Sequence, residues 1–271
     1  MIELKNFEME LLHNELSKAT LKRYLTDITQ FIEKENIRSK DDITKSNLLE
    51  YKDYLINNFK ASSCNIKLIA INKFLDFLDL ENLKLKLPKK QKKNVLEDML
   101  TVPEYERMLK YAEKLEKEKM YNIIMTLANT GIRISELEFI TVEALKKEST
   151  VIKNKGKIRE IILPKKLTKD LKEYCKKNGI TKGPVFISKF NKPIDTTYIH
   201  RELKTISGQA RIKKSKVHAH AFRHLFAIQY MKRNNNALSL ADILGHSSLE
   251  TTRIYTQQTK EQHQKSIDNL F

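Results

Sequence analysis

"HAHAFRHLFAIQYMKR", residues 218–233, places three histidines and an arginine in the first turns of a predicted amphipathic helix. His220 and Arg223 are three apart, so both project from one face of the first turn, and Phe222, Leu225 and Phe226 are expected to anchor the other face in a core. His220 and His224 have the i, i+4 spacing of a zinc metalloprotease helix. The residue after His220, however, is Ala221, where that chemistry needs a glutamate base. His218 adds a third imidazole, but no nearby acid or cysteine completes a ligand set, and no metal site is expected.

Downstream, Ser239 and Asp242 are expected to cap a short helix ending at Leu244-Gly245. His246 follows, and a second capping pair, Ser247 and Glu250, opens a helix that carries Tyr255 about two turns in. Upstream, "ANTGIRISELEFI" (128–140) sets Arg133 just past Gly131, which suits the end of a helix, with Glu136 one turn later. "STVIKNKGKIREIILP" (149–164) reads as two strands around a turn at Lys155-Gly156, the one convincing β signal. Helices are expected from Thr101, where Glu104 completes a capping box, through "YNIIMTLANTG", and over 166–178 and 196–209.

The first 80 residues read as a bundle of about four helices. Leu21, Tyr24, Leu25, Ile28, Phe31 and Ile32 form one stripe behind a Ser17 cap. Leu48, Tyr51, Leu55 and Phe59 form a second behind Thr44, and Ile66, Ile69, Ala70, Phe74, Phe77 and Leu78 a third. "FEMELLHNEL" adds a shorter helix. "KLKLPKKQKKN" (84–94) then brings six lysines and a proline and reads as an exposed linker, with Lys89, Lys90, Lys92 and Lys93 crossing a phosphate backbone. The expected organisation is a helical domain over 1–83, a lysine-rich linker over 84–96 and a second domain over 97–271.

Bulk properties agree with a polyanionic partner. The 271 residues carry a formal charge of +17, with a pI near 9.6, and 40% hydrophobic residues suffice for ordinary cores. No apolar run reaches membrane-span length, no signal-peptide pattern opens the chain, and Cys64 and Cys175 fit no metal spacing; a reducing cytoplasm is expected. The six glycines form neither G-x-x-x-x-G-K nor G-x-G-x-x-G, so no nucleotide cofactor is expected.

In this order and spacing, "TGIRISEL", "HAHAFRH", "LGH" and "TTRIYT" resemble the motifs of the tyrosine recombinase (phage integrase) family, and the resemblance covers nearly the whole chain. It implies a mainly α protein in which a core-binding, SAM-like bundle and a catalytic domain with a small β-sheet clamp duplex DNA. Arg133 and Arg223 would be the two catalytic arginines, His220 and His246 the active-site histidines, Tyr255 the nucleophile and Lys155 the catalytic lysine. Family members often have a G-K-G-N-K-x-R turn where this chain reads "NKGKIREIILP", so Lys157 and Lys153 remain alternatives to Lys155. The tail after Tyr255 would dock on a neighbouring subunit of a dimer-to-tetramer assembly. Asn65, Lys67, Asn72 and Lys73 are candidates for reading DNA.

The residue types suit the reaction so implied, transfer of a phosphodiester from a DNA hydroxyl to a tyrosine and back. Two planar guanidiniums can donate paired hydrogen bonds to the non-bridging oxygens as charge builds on them. A phenol needs a base to attack near neutral pH, for which His220 is the candidate, and Lys155 would protonate the departing 5′ oxygen. His246 would donate to the phosphate, and Glu136 would hold Arg133 or His220 in place. The phosphotyrosine keeps the energy of the diester it replaces, so neither metal nor ATP is expected. A type IB topoisomerase is the alternative within this chemistry, and an inactive DNA-binding scaffold the alternative outside it.

Overall fold

The computed structural model describes residues 3–88, 99–154, 157–245, 252, 255 and 268, with backbone alone at 153, 154 and 157. The chain divides into two compact units, Met1–Lys93 and Asn94–Phe271.

In the first unit, α1 (Leu4–His13), α2 (Lys18–Lys34), α3 (Lys45–Asn58) and α4 (Ala61–Phe77) close around Phe7, Phe31, Tyr51, Leu55, Leu68 and Phe74. Two starts are set by side-chain caps. Ser17 accepts from the Thr20 amide, and Thr44 forms a reciprocal box with Asn47.

The expected stripe on α4 holds at Ala70, Phe74 and Leu78 and fails at Ile66 and Ile69. Ile66 and Ile69 are 37% and 42% exposed, and the buried face runs through Cys64, Lys67, Leu68, Ile71, Phe74 and Leu75. The helical period holds, but a lysine takes an inward position. Its Nζ lies 2.6 Å from Asp27 Oδ1 and 2.7 Å from Gln30 Oε1, and Asp27 is itself buried on α2. The start of the expected linker is exposed at Lys84, Lys86 and Leu87, as expected, but not at Leu85. Leu85 is buried, and its backbone is held in both directions by the Asn72 side chain, while Lys45 Nζ donates to the carbonyls of Leu83 and Lys84.

The second unit is built around α6 (Glu118–Thr130), which packs on α5 (Val102–Lys114), α8 (Lys165–Lys177), α9 (Thr196–Gln209) and α10 (Ala219–Asn234). Thr101 and Glu104 form the expected capping box at α5. After α6 come a 3₁₀ turn (Ile134–Phe139), α7 (Val142–Lys147) and an antiparallel hairpin, β1 (Ser149–Asn154) and β2 (Lys157–Ile162), in register from Ser149↔Ile162 to Asn154↔Lys157. Strand alternation turns Arg159 and Ile161 inward and leaves Ile158 and Ile162 exposed.

α11 (Ala237–Leu244) follows α10. Its cap is Asn236, which accepts from the Ser239 amide, and the Ser239 hydroxyl pairs instead with Tyr230 on α10. Among the described residues no helix is long and apolar enough to cross a membrane.

Candidate active site

The site is assembled where helix ends meet. Gly131 ends α6 in the left-handed region at φ +63°, and a Cβ there would stand 2.6 Å from the Phe226 ring and 2.8 Å from Leu244. Only a glycine lets α6 terminate so close to α10 and α11. The Gly131 carbonyl accepts from Arg223 Nη1 at 2.8 Å, and the Leu244 carbonyl, at the end of α11, accepts from Nη2 at 2.6 Å. Two helix C-termini, each carrying partial negative charge, therefore hold one guanidinium that is 1% exposed. Its Nε, also buried, has no hydrogen-bond partner among the described residues. Burial, then Arg133 and Arg159, bring the Arg223 pKa down to about 10, with Glu136 and Tyr255 opposing.

Arg133 opens the 3₁₀ turn, and the Glu136 carboxylate reaches back to it as acceptor. The Arg133 amide donates to Glu136 Oε2 at 2.7 Å and Arg133 Nη1 to Oε1 at 3.0 Å. The same fully buried carboxylate takes two further bonds from Arg159 on β2, Nη2 to Oε2 at 2.6 Å and Nη1 to Oε1 at 3.2 Å. Burial alone would raise the Glu136 pKa. The bonds from Arg159 and from the Arg133 amide and side chain outweigh that and hold it below the ordinary carboxylate value. Arg159 also lies over Gly245, the φ +63° residue that ends α11; a Cβ there would meet Arg159 Cδ at 2.8 Å.

His220 sits in the first turn of α10, and its pKa is lowered by burial first, then by Arg223, His218 and Arg133. His218 is the cap of that helix, its Nδ1 accepting from the Ala221 amide at 3.1 Å. Tyr255 is half-buried against the cluster of Ala227, Met231, Leu240 and Leu244. Burial pushes its phenol up to about 12, with Arg223 opposing. The Tyr255 hydroxyl meets Nδ1 of His224, not His220, the expected base. The two imidazoles stand edge to face, 4.9 Å between centroids.

Arg133, Glu136, His220, Arg223 and Tyr255 are thus brought into one charged neighbourhood, in which Arg133 and Arg223 lower the His220 pKa and Arg133, Glu136 and Tyr255 all act on Arg223. Lys155 and His246 lie outside the described residues, as do Lys89, Lys90, Lys92 and Lys93, and the alternatives Lys153 and Lys157 are described by backbone alone.

Three candidates for reading DNA require correction, because each side chain is tied down by a hydrogen bond within the first unit, although the buried Asn65 Oδ1 has no partner among the described residues. Lys67 is paired with Asp27, Asn72 clamps Leu85, and buried Asn65 donates to the Pro88 carbonyl at 3.1 Å. Lys73 is half-buried.

Two site residues were missed from sequence. Arg159 carried a signal, as the only arginine between 133 and 201 and on a strand position facing inward. His224 carried only its spacing to His220, which read as a metal pair. Among the described residues no group of three or more His, Cys, Asp or Glu could hold a metal ion.

Residues 98–262 match the model of the phage integrase family, and residues 4–82 that of the phage integrase N-terminal SAM-like domain. A tyrosine recombinase of Pseudothermotoga lettingae is 27% identical over 99% of this chain and 98% of its own, and tyrosine recombinase XerA of Pyrococcus furiosus is 28% identical over 93% and 88%. The crystal structure of XerA recombinase aligns over 98% of this chain and 96% of its own at 26% identity, with a TM-score of 0.54. The fold alone is shared with XerH site-specific recombinase bound to difH substrate (22% identity, TM-score 0.75, 92% and 78% covered). It is shared likewise with the Tn1549 transposon integrase in complex with circular intermediate DNA (16% identity, TM-score 0.78, both chains fully covered). Motif order, fold and full-length likeness agree, and this chain belongs to the phage integrase family, the tyrosine recombinases.

Proposed function

We propose that the protein is a site-specific recombinase that cuts and rejoins duplex DNA through a 3′-phosphotyrosine on Tyr255. One observation carries the reading: three arginines, 133, 159 and 223, gather around a single buried carboxylate, Glu136. Among the described residues such a pocket carries more positive than negative charge and calls for an anion, and a phosphodiester supplies it.

In this reading Arg133 and Arg223 stabilise the charge that develops on the non-bridging oxygens. Tyr255 attacks phosphorus, and Lys155 protonates the departing 5′ oxygen. His220 and His246 complete the wall around the phosphate. Rejoining is the same step reversed, with a 5′-hydroxyl of the partner strand as nucleophile. The diester energy is conserved in the phosphotyrosine, so the chemistry requires neither nucleotide nor metal. Exchange between duplexes makes the working form a homo-oligomer on DNA, dimer to tetramer, acting in the cytoplasm at the nucleoid.

The test is to mix the protein with fragmented genomic DNA, denature, and map the DNA ends that remain covalently attached. Ends concentrated at one sequence support the proposal, and Tyr255→Phe should bind equally while forming no adduct. Adducts that persist in that variant refute Tyr255 as nucleophile. Efficient relaxation of a plasmid lacking any recovered site assigns topoisomerase action instead.

A further inference from the structure

We infer that His224, not His220, accepts the phenolic proton of Tyr255 as the tyrosine attacks. The inference rests on the recombinase reading above and adds a catalytic residue to it. The two histidines lie one turn apart on α10 and face different neighbours. His220 shares its side with Arg223 and Arg133, and burial together with those cations lowers its basicity. A proton acceptor that two guanidiniums act on electrostatically is poorly matched to its task. One turn on, His224 has its Nδ1 in contact with the Tyr255 hydroxyl, and the two rings stand 5.6 Å apart.

The phenol needs such a partner. Burial pushes it up to about 12, so hardly any phenolate exists near neutral pH. Apolar packing against Met231, Leu240 and Leu244 holds the ring where His224 receives it.

The step balances as follows. The phenolic O–H proton passes to His224 Nδ1 while the phenolic oxygen forms the bond to phosphorus. The bond from phosphorus to the 5′ oxygen breaks, and that oxygen takes its electron pair and a proton from the general acid. In rejoining, the imidazolium returns its proton to the tyrosine as the phosphotyrosine bond breaks.

A nicked duplex carrying the mapped site traps the covalent adduct, so single-turnover cleavage can be timed. His224→Gln should slow adduct formation about 10²-fold or more and leave DNA binding within about twofold. His224→Asn keeps an amide near the former Nδ1 and can still hydrogen-bond the tyrosine without taking its proton; it should fail in rate alike. A fluorinated tyrosine at position 255, whose phenol is more acidic, should restore at least tenfold of the loss in both variants and none of the loss in His220→Gln. Cleavage by His224→Asn within threefold of the native rate would overturn the inference, as would a loss in both variants that the acidic tyrosine does not relieve. Native protein is the control: a native adduct on Tyr255 with no defect in either variant sinks this inference alone, and no native adduct sinks the recombinase reading itself.

Discussion

Glu136→Gln isolates what one carboxylate does among three cations. The substitution keeps the shape of the side chain and removes its charge. Glu136 accepts hydrogen bonds from the Arg133 amide, Arg133 Nη1 and both terminal nitrogens of Arg159, and a neutral amide has one oxygen for all of them. Its NH₂ group would point at guanidinium donors. Breaking a buried pair from one side costs about 3–5 kcal/mol, because the partner charge stays behind. In a unit spanning Asn94–Phe271, each kcal/mol moves the melting point by about 2–4 °C, so a drop of roughly 6–20 °C is expected.

Scanning calorimetry reads this directly, and three further features identify the cause. Sulfate should raise the variant's transition more than the native one, since an anion now supplies the missing charge. Glu136→Gln combined with Arg159→Gln should be less destabilised than the sum of the two singles. The third is the acid limb. The folded-state pKa of Glu136 lies below its unfolded value, so its contribution is present above the ordinary carboxylate range and lost as pH falls through the folded pKa. The native protein should therefore lose stability over that acidic window more steeply than the variant. A melting point within 2 °C of native, with no difference in sulfate response, would refute the charge argument on which the proposed function rests.

Two further outcomes follow from named contacts. Arg223→Lys forfeits the fork that reaches the Gly131 and Leu244 carbonyls together, and cleavage should fall about 10²–10³-fold, whereas affinity measured by filter binding changes only a few-fold; equal losses would make Arg223 a mere anchor. Lys67→Met leaves buried Asp27 only the longer, solvent-exposed pair with Arg23 at 3.7 Å and should lower the unfolding free energy by at most about 3–5 kcal/mol. The salt dependence of DNA binding should stay unchanged in that variant, and a slope reduced by about one would return Lys67 to the DNA surface.

Much of the local architecture was legible because its causes lie within a few residues of their effects. The Ser17, Thr44 and Thr101 caps each act over three positions, and the hairpin alternates with period two around its turn. Gly131 and Gly245 end helices where their lack of a Cβ matters. Motif order carried the family, because spacing along the chain is a property of sequence itself.

What the sequence by itself determined was therefore the helices and the hairpin of the described residues; the two-part organisation and the polar residues for a phosphate site were expectations it raised. Tertiary structure decided which of those residues meet. Lys67 finds Asp27 forty positions away, which turned a candidate DNA reader into part of an interior. Asn72 draws Leu85 out of a segment that read as bare linker. Arg159 joins Glu136 only because the hairpin packs against the turn after α6, and Tyr255 reaches His224 across 31 positions. The physical reason is range. Caps and periodicity act between neighbours along the backbone, whereas ion pairs and proton acceptors are chosen by how helices pack, and a single residue's chemical type does not reveal its partner.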